Sequence, residues 1–211
     1  MNLIRKDRIM TFWDQNFSAP GYKYGTEPNA FLREQAFRLP PGSRVLLPGD
    51  GEGRNAVWLA TQGHRVTSVD LSLVGLGKAQ QLAAGKGVEL AILQADLADW
   101  APEPASFDAV VLTYVHLPPA IRASAHARLA AGLRDGGWLI LEAFHPEQLA
   151  HASGGPRDVA MLYDLATLRA DLAAAGLQES LAWEGRVTLD EGPGHQGLAH
   201  VTRYVAQKIG G

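Results

Sequence analysis

Gly49, Gly51 and Gly53 interrupt the chain directly after an apolar run, in the stretch VLLPGDGEGRN at 45–55. Glycines at such a turn let the backbone bend sharply and approach a ligand where a Cβ would clash. Two acids follow. Asp70 closes the apolar segment RVTSVD, where a carboxylate can accept the hydroxyl protons of a ribose. Asp96 stands in QADLADW after a third apolar segment, in position to receive an adenine amino group. Either acid alone reads equally well as a helix cap or a solvated turn. A glycine turn followed by acids at two successive strand ends describes a nucleoside pocket. The dinucleotide fingerprint G-x-G-x-x-G would need glycine where Arg54 stands, and no Lys-Ser or Lys-Thr follows to make a phosphate loop. The pocket therefore lacks a diphosphate cradle.

These residues need a scaffold, and the hydropathy pattern supplies one. It predicts strands at 43–48, 65–69, 88–93, 107–113 and 137–143, with helices at 54–62, 73–84 and 119–133 between them. Gly63 is placed to end the first of these helices and Ser72 to cap the second. Alternating strands and helices argue for a parallel sheet covered on both faces. The ending differs: a helix at 164–175 leads to extended segments at 178–189 and 198–207 around EGPGHQG, which read as a hairpin. The expected architecture is an α/β, Rossmann-like seven-stranded sheet, mostly parallel, with an antiparallel last strand and helices on both faces. Two further helices, at 9–17 and 28–38, precede it. We divide the chain into an N-terminal helical lid at 1–40 and one compact ligand-binding unit at 41–211.

Composition narrows the function classes. The 211 residues are 46% hydrophobic and 19% charged, ordinary for a globular protein. A formal net charge of −3 offers no general attraction to nucleic acid or an anionic membrane. No apolar run suggests a membrane span, and MNLIRKDRIM lacks an apolar signal core, so the expected location is cytoplasmic. The absence of cysteine excludes disulfides, thiolate metal sites and a cysteine nucleophile.

In open α/β sheets, ligands gather outside the carboxyl ends of the parallel strands. That rule sorts the histidines. His116 in TYVHLPP follows strand four and His145 in EAFHPEQ follows strand five, while His195 lies in the turn after strand six. Arg157 belongs to the long loop after strand five, and Tyr114 leaves strand four beside His116. Each reads alternatively as a structural or solvent-facing residue. Together they make a polar acceptor face, with His116 and His145 as candidate bases and Tyr114, Arg157 and His195 as candidate substrate contacts. Trp13, Phe17, Tyr22 and Tyr24 can close it as an aromatic lid or pack as an ordinary helix face. His64 and His126 fall at the opposite end or within a helix and read as structural.

The motifs DGEGRNAVWLA, VDLS, ADL and YGTEPNAFL resemble the class I S-adenosylmethionine-dependent methyltransferases, and specifically their tellurite-resistance-type branch. The resemblance extends to HPEQ, GGP at 154–156 and the DEGPGHQG hairpin. It implies that Gly49, Gly51 and Gly53 pack under the methionine part of the cofactor. It implies further that Asp70 holds the ribose, Leu71 flanks the adenine and Asp96 with Leu97 reads its edge. Thr113 would offer contacts near the methionine, and Tyr24 opens the family-like YGTEPN stretch. The family usually has an acid where Leu47 stands and commonly cysteine at Asp50; Asp50 is the candidate to take over that acid's role near the cofactor amino group.

The expected activity is methyl transfer from S-adenosylmethionine to a small-molecule acceptor, with neither nucleic acid nor membrane as partner. A thiol or a chalcogen oxyanion such as tellurite suits it, because TYVHLPP is not an amine-methylation motif. The alternatives are a catalytically silent S-adenosylmethionine-binding protein, suggested by Leu47-Pro48-Gly49-Asp50, and an NAD-dependent oxidoreductase, suggested only by the shared β-α-β start. No metal is called for, and the sequence leaves the oligomeric state open.

Overall fold

The computed structural model describes residues 11–210. The strands are β1 Arg44–Pro48, β2 Arg65–Asp70, β3 Ala91–Gln94, β4 Phe107–Thr113, β5 Leu133–Phe144, β6 Leu177–Asp190 and β7 Gln196–Lys208. The helices are α1 Phe12–Phe17, α2 Ala30–Gln35, α3 Arg54–Thr61, α4 Leu73–Lys86, α5 Pro119–Ala131 and α6 Leu165–Leu172. The seven strands form one sheet in the order β3-β2-β1-β4-β5-β7-β6. The first five strands pair in parallel, and β7 runs antiparallel to both β5 and β6. It follows that β6 points the same way as β1 to β5, so the turn after it emerges at the ligand edge.

The central strands are apolar on both sides because both faces are covered. Leu46, Val110, Leu112, Leu139 and Leu141 join one core with Leu129 of α5 and Leu168 of α6. Their alternate neighbours Val45, Leu47, Val111 and Ile140 join the other, with Phe31 and Leu32 of α2 and Leu59 of α3. The period of two along a strand divides the residues between the two cores. Thus α2 is part of the core, whereas α1 lies over the start of α4, with Ser72 Oγ donating to Asp14 Oδ1 at 2.6 Å.

Several boundaries differ from the sequence expectation for local reasons. β3 starts at Ala91, not 88, because Val88 N–H still bonds Ala83 O at the end of α4. β5 starts earlier, at Leu133, which pairs with Phe107 before a register shift. α2 begins after Asn29, whose side chain accepts from Leu32 N–H, and gives way to a 3-10 turn at Ala36–Arg38. α1 begins after Thr11, which forms a capping box with Asp14. Residues 9 and 10 of the helix expected at 9–17 lie outside the described residues, as do residues 1–10 of the lid and residue 211 of the ligand-binding unit. Among the described residues no helix is long and apolar enough to cross a membrane.

Candidate active site

A cavity of about 690 Å³ opens at the carboxyl edge of the sheet, between the glycine turn and the N-terminal segment. Gly49 N–H and Asp50 N–H both donate to Val69 O, at 2.7 and 3.4 Å, and swing the chain across the end of β2. Gly51 follows with φ +61° and donates its N–H to Asp70 Oδ2 at 2.9 Å. Asp70 Oδ1 accepts from Ser72 N–H at 2.8 Å. Asp70 therefore holds the glycine turn and the start of α4 together while lining the cavity. A Cβ on Gly51 would meet the Phe17 ring at 2.9 Å, so α1 packs directly onto the turn.

Gly53 has a different job. It is the left-handed residue before α3, at φ +84°, and a Cβ there would lie 2.4 Å from Ala79 Cβ of α4. It lets the two helices touch and is not in the cavity wall.

In the turn and just after it stand two incompletely paired groups, the half-buried Asp50 and the buried Arg54. Asp50 Oδ2 accepts from Ser68 Oγ at 2.9 Å, while its Oδ1 has no hydrogen-bond partner among the described residues. Burial pushes the Asp50 carboxyl up to about 7. Arg54 Nη2 donates to Glu191 Oε2 at 2.6 Å, and its buried Nη1 has no partner among the described residues. Both residues line the cavity, giving it one unsatisfied carboxylate oxygen and one unsatisfied guanidinium nitrogen. An amino-acid end, with its ammonium and carboxylate, has the complementary charges. Next to Arg54, Asn55 Nδ2 donates to Thr113 Oγ1 at 3.0 Å and fixes Thr113 at the end of β4.

At the other end Leu71, Asp96 and Leu97 form the wall with Asp70. Asp96 Oδ1 also caps its own turn, accepting from Ala98 N–H at 2.9 Å.

The remaining wall is aromatic. The Tyr114 ring stacks on Phe144 with centroids 4.5 Å apart, and His195 meets Tyr114 at 4.5 Å and Tyr24 at 4.3 Å. Tyr114 adopts φ +55°, with its N–H on Glu142 O at 2.8 Å and its hydroxyl on Glu142 Oε2 at 2.9 Å. His195 is buried, which lowers its pKa, and its Nδ1 is 3.9 Å from Glu191 Oε2. Trp13 stacks on Phe17 at the mouth, 5.6 Å between centroids. His116 lies deeper. Its Nδ1 is 2.6 Å from Met161 O and its Nε2 accepts from Phe144 N–H at 3.2 Å. The tautomer with Nδ1 protonated satisfies both contacts, and burial lowers the ring's pKa to about 4. His116 is thus a neutral brace between two backbone segments.

Of the residues singled out in the sequence, the fold gathers Trp13, Tyr24, Gly49, Asp50, Gly51, Asp70, Leu71, Asp96, Leu97, Thr113, Tyr114, His116 and His195 around one cavity. Gly53, His145 and Arg157 stand outside its wall. His145 faces His200 on the far side of the β5 end, ring centroids 4.5 Å apart, and exposed Arg157 donates to His151 O at 3.0 Å. Arg54, Glu191 and Phe144 belong to the cavity or its support without having been singled out. Arg54 entered the sequence argument only as a residue that is not glycine. Glu191 carries no local signal, because its partners Arg54 and Asn29 come from distant parts of the chain.

Comparison with known proteins agrees with this geometry. Residues 45–137 match the family described as "Methyltransferase domain". The thiopurine S-methyltransferase of Bordetella petrii is 41% identical over 58 residues, which is 28% of this chain and 25% of that protein. The match thus spans about a quarter of the relative's length. Among solved structures, TehB from Haemophilus influenzae superposes with a TM-score of 0.68 at 17% identity, covering 93% of this chain and 66% of that one. A protein solved in work on the conversion of a disulfide bond into a thioacetal group during echinomycin biosynthesis gives a TM-score of 0.75 at 18% identity, covering 93% and 88%. At such identities the superpositions speak for the fold. With the sheet order and the superpositions in agreement, the chain has the Rossmann-like fold of the class I methyltransferases, and its residues 45–137 match the methyltransferase-domain family.

Proposed function

We propose that this chain transfers the methyl group of S-adenosylmethionine to a small, soft, electron-rich acceptor: a thiolate or a chalcogen oxyanion such as tellurite. The observation that carries this reading is the state of His116. It lines the cavity just beyond β4, and both its nitrogens are committed to backbone groups. An alcohol or amine acceptor must lose a proton to a base. A soft anion arrives with its lone pair free, so alignment in a water-poor aromatic cavity suffices. The sulfur chemistry in the names of the thiopurine and echinomycin proteins points the same way.

The cofactor supplies an electrophilic methyl carbon on a positively charged sulfur. In this reading Asp70 binds its ribose hydroxyls, and Asp96 with Leu97 meets the adenine edge, flanked by Leu71. Gly49 and Gly51 admit the methionine part, and Thr113 borders it. Asp50 and Arg54 take the ammonium and carboxylate ends. Trp13, Tyr24, Tyr114 and His195 enclose the acceptor, whose lone pair forms the new bond while the carbon–sulfur bond breaks and its electrons stay on sulfur. Of the lid expected at 1–40, α1 and Tyr24 act as the cover over the cavity, while α2 packs in the core.

The test is S-adenosylhomocysteine formation by the purified protein across matched acceptors: small thiols, selenite, tellurite, alcohols and amines. Turnover confined to the sulfur and chalcogen compounds is expected. Turnover with alcohols or amines alone would overturn the soft-acceptor reading, and cofactor binding without product from any class would favour a silent binding protein. The dehydrogenase alternative is set aside, because β7 is antiparallel and Arg54 occupies the third glycine position.

A further inference from the structure

We propose a divalent transition-metal site at the outer end of the β5–β7 pair, formed by His145, Glu147 and His200 and separate from the cofactor cavity. One ligand atom from each of these side chains lies within 4.8 Å of the other two. Two imidazoles and one carboxylate, with a position left for water, are the donor set of borderline cations such as Zn²⁺ or Ni²⁺. Mg²⁺ and Ca²⁺ prefer all-oxygen ligands.

The two rings are presented by a rigid frame. His145 N–H donates to His200 O at 3.0 Å and continues the ladder beyond the Phe144–Val201 pair. His200 N–H donates to Gln148 Oε1 at 2.8 Å. Glu147 N–H donates to His145 Nδ1 at 3.1 Å, which leaves Nε2 of that ring to a metal. A carboxylate faces each imidazole: Glu147 Oε2 is 3.0 Å from His200 Nδ1, and Glu184 Oε1 is 3.8 Å from His145 Nε2. Ring stacking alone would explain why the histidines adjoin. It does not explain a carboxylate on each of them.

Access is open. The Glu147 side chain is 70% exposed, while those of His145 and His200 are 14% and 13% exposed, so a solvent-facing carboxylate stands over two largely covered rings. A cleft of about 410 Å³ beside them is lined by His151 and Arg186. Arg186 opposes a cation there, and the Glu147 and Glu184 carboxylates offset it. Because Phe144 precedes His145 and stacks on Tyr114, a bound ion would brace the end of β5 that carries the cavity wall. Its expected effect is on stability.

The experiment is calorimetric titration of the untagged full chain with ZnCl₂, alongside Co²⁺ absorption spectra and thermal melts. One saturable site per chain, visible Co²⁺ bands and a Zn²⁺-dependent rise in melting temperature are expected. Glu147→Gln should weaken Zn²⁺ binding by at least about tenfold, and His200→Ala should abolish it. Excess Mg²⁺ should not compete. Unchanged cofactor affinity in both variants establishes that they are folded. Absence of saturable binding in the parent, or parental affinity in folded Glu147→Gln and His200→Ala, would overturn the site.

Discussion

Asp70 is a buried carboxylate and Asp50 a half-buried one, each where a parallel strand ends, and their hydrogen bonds separate their behaviour. Asp70 accepts two backbone N–H bonds, from Gly51 and Ser72, so it supports the turn itself. Asp70→Ala is therefore expected to lower the melting temperature as well as to weaken cofactor binding, the latter by about 1.5–3 kcal/mol. Calorimetry and melting curves check the two effects separately. Asp50 has a single side-chain donor, Ser68, and burial carries its folded pKa from 3.8 to about 7. A raised carboxyl pKa favours the protonated fold: the contribution is full below the unfolded pKa and lost as pH rises through about 7. His116, lowered to about 4, acts in the opposite sense, adding stability above its unfolded 6.5 and losing it as pH falls through about 4. The difference between Asp50→Asn and the parent isolates the first group. We expect the variant to gain on the parent as pH rises from 4 to 8, by an amount on the order of 4 kcal/mol. Melts that stay parallel across that range would contradict the assignment.

At the scale of elements, the three glycines do two things. Gly49 and Gly51 bring the backbone under the cavity, and Gly53 brings α3 against α4. The expectation for Gly53→Ala follows from its φ of +84° and from Ala79 lying inside contact distance. It should cost about 2–5 kcal/mol of stability and leave cofactor affinity of the folded fraction near parental. Gly51→Val should do the reverse in emphasis, abolishing cofactor binding, because the branched side chain enters a left-handed turn already covered by Phe17. Denaturation curves paired with binding isotherms separate the two. Equal losses of binding in both variants would mean that the glycine turn acts as a single unit.

Across the whole molecule, one buried polar network ties the N-terminal segment to α3, to β5 and to the turn after β6. Asn29 Nδ2 donates to Glu142 Oε2 at 2.6 Å and to Glu191 Oε1 at 3.0 Å. Glu191 pairs with Arg54 of α3, and Glu142 Oε1 accepts from Arg203 Nε at 2.6 Å. Glu191→Gln removes the carboxylate facing a buried guanidinium and should cost about 3–5 kcal/mol, read by urea denaturation. Ligand binding acts at the same scale. S-adenosylmethionine at a hundredfold excess over Kd should add about 2.7 kcal/mol of stability, and NAD at the same concentration should add none. An equal shift with NAD would count against the cofactor assignment.

The acid that ends β2 in the cavity wall, the glycine turn, the β-α alternation and the closing hairpin were all legible in the sequence. Each is a local signal: a residue type at a strand end, a period of two or 3.6, or a turn composition. The direction of β6, and with it the edge at which His195 emerges, also followed from the hairpin. What the sequence left open is everything that depends on which side of an element a residue faces after packing. His116 and His145 share the same topological address, one residue or a few beyond a parallel strand, yet His116 turns inward and spends both nitrogens on the backbone, while His145 turns outward to His200. Arg54 becomes a cavity residue only because Glu191, far along the chain, holds one of its two terminal nitrogens and leaves the other unpaired. Topology fixes where a side chain leaves the sheet; its chemistry is fixed by partners that meet it through long-range packing, and no local pattern encodes those.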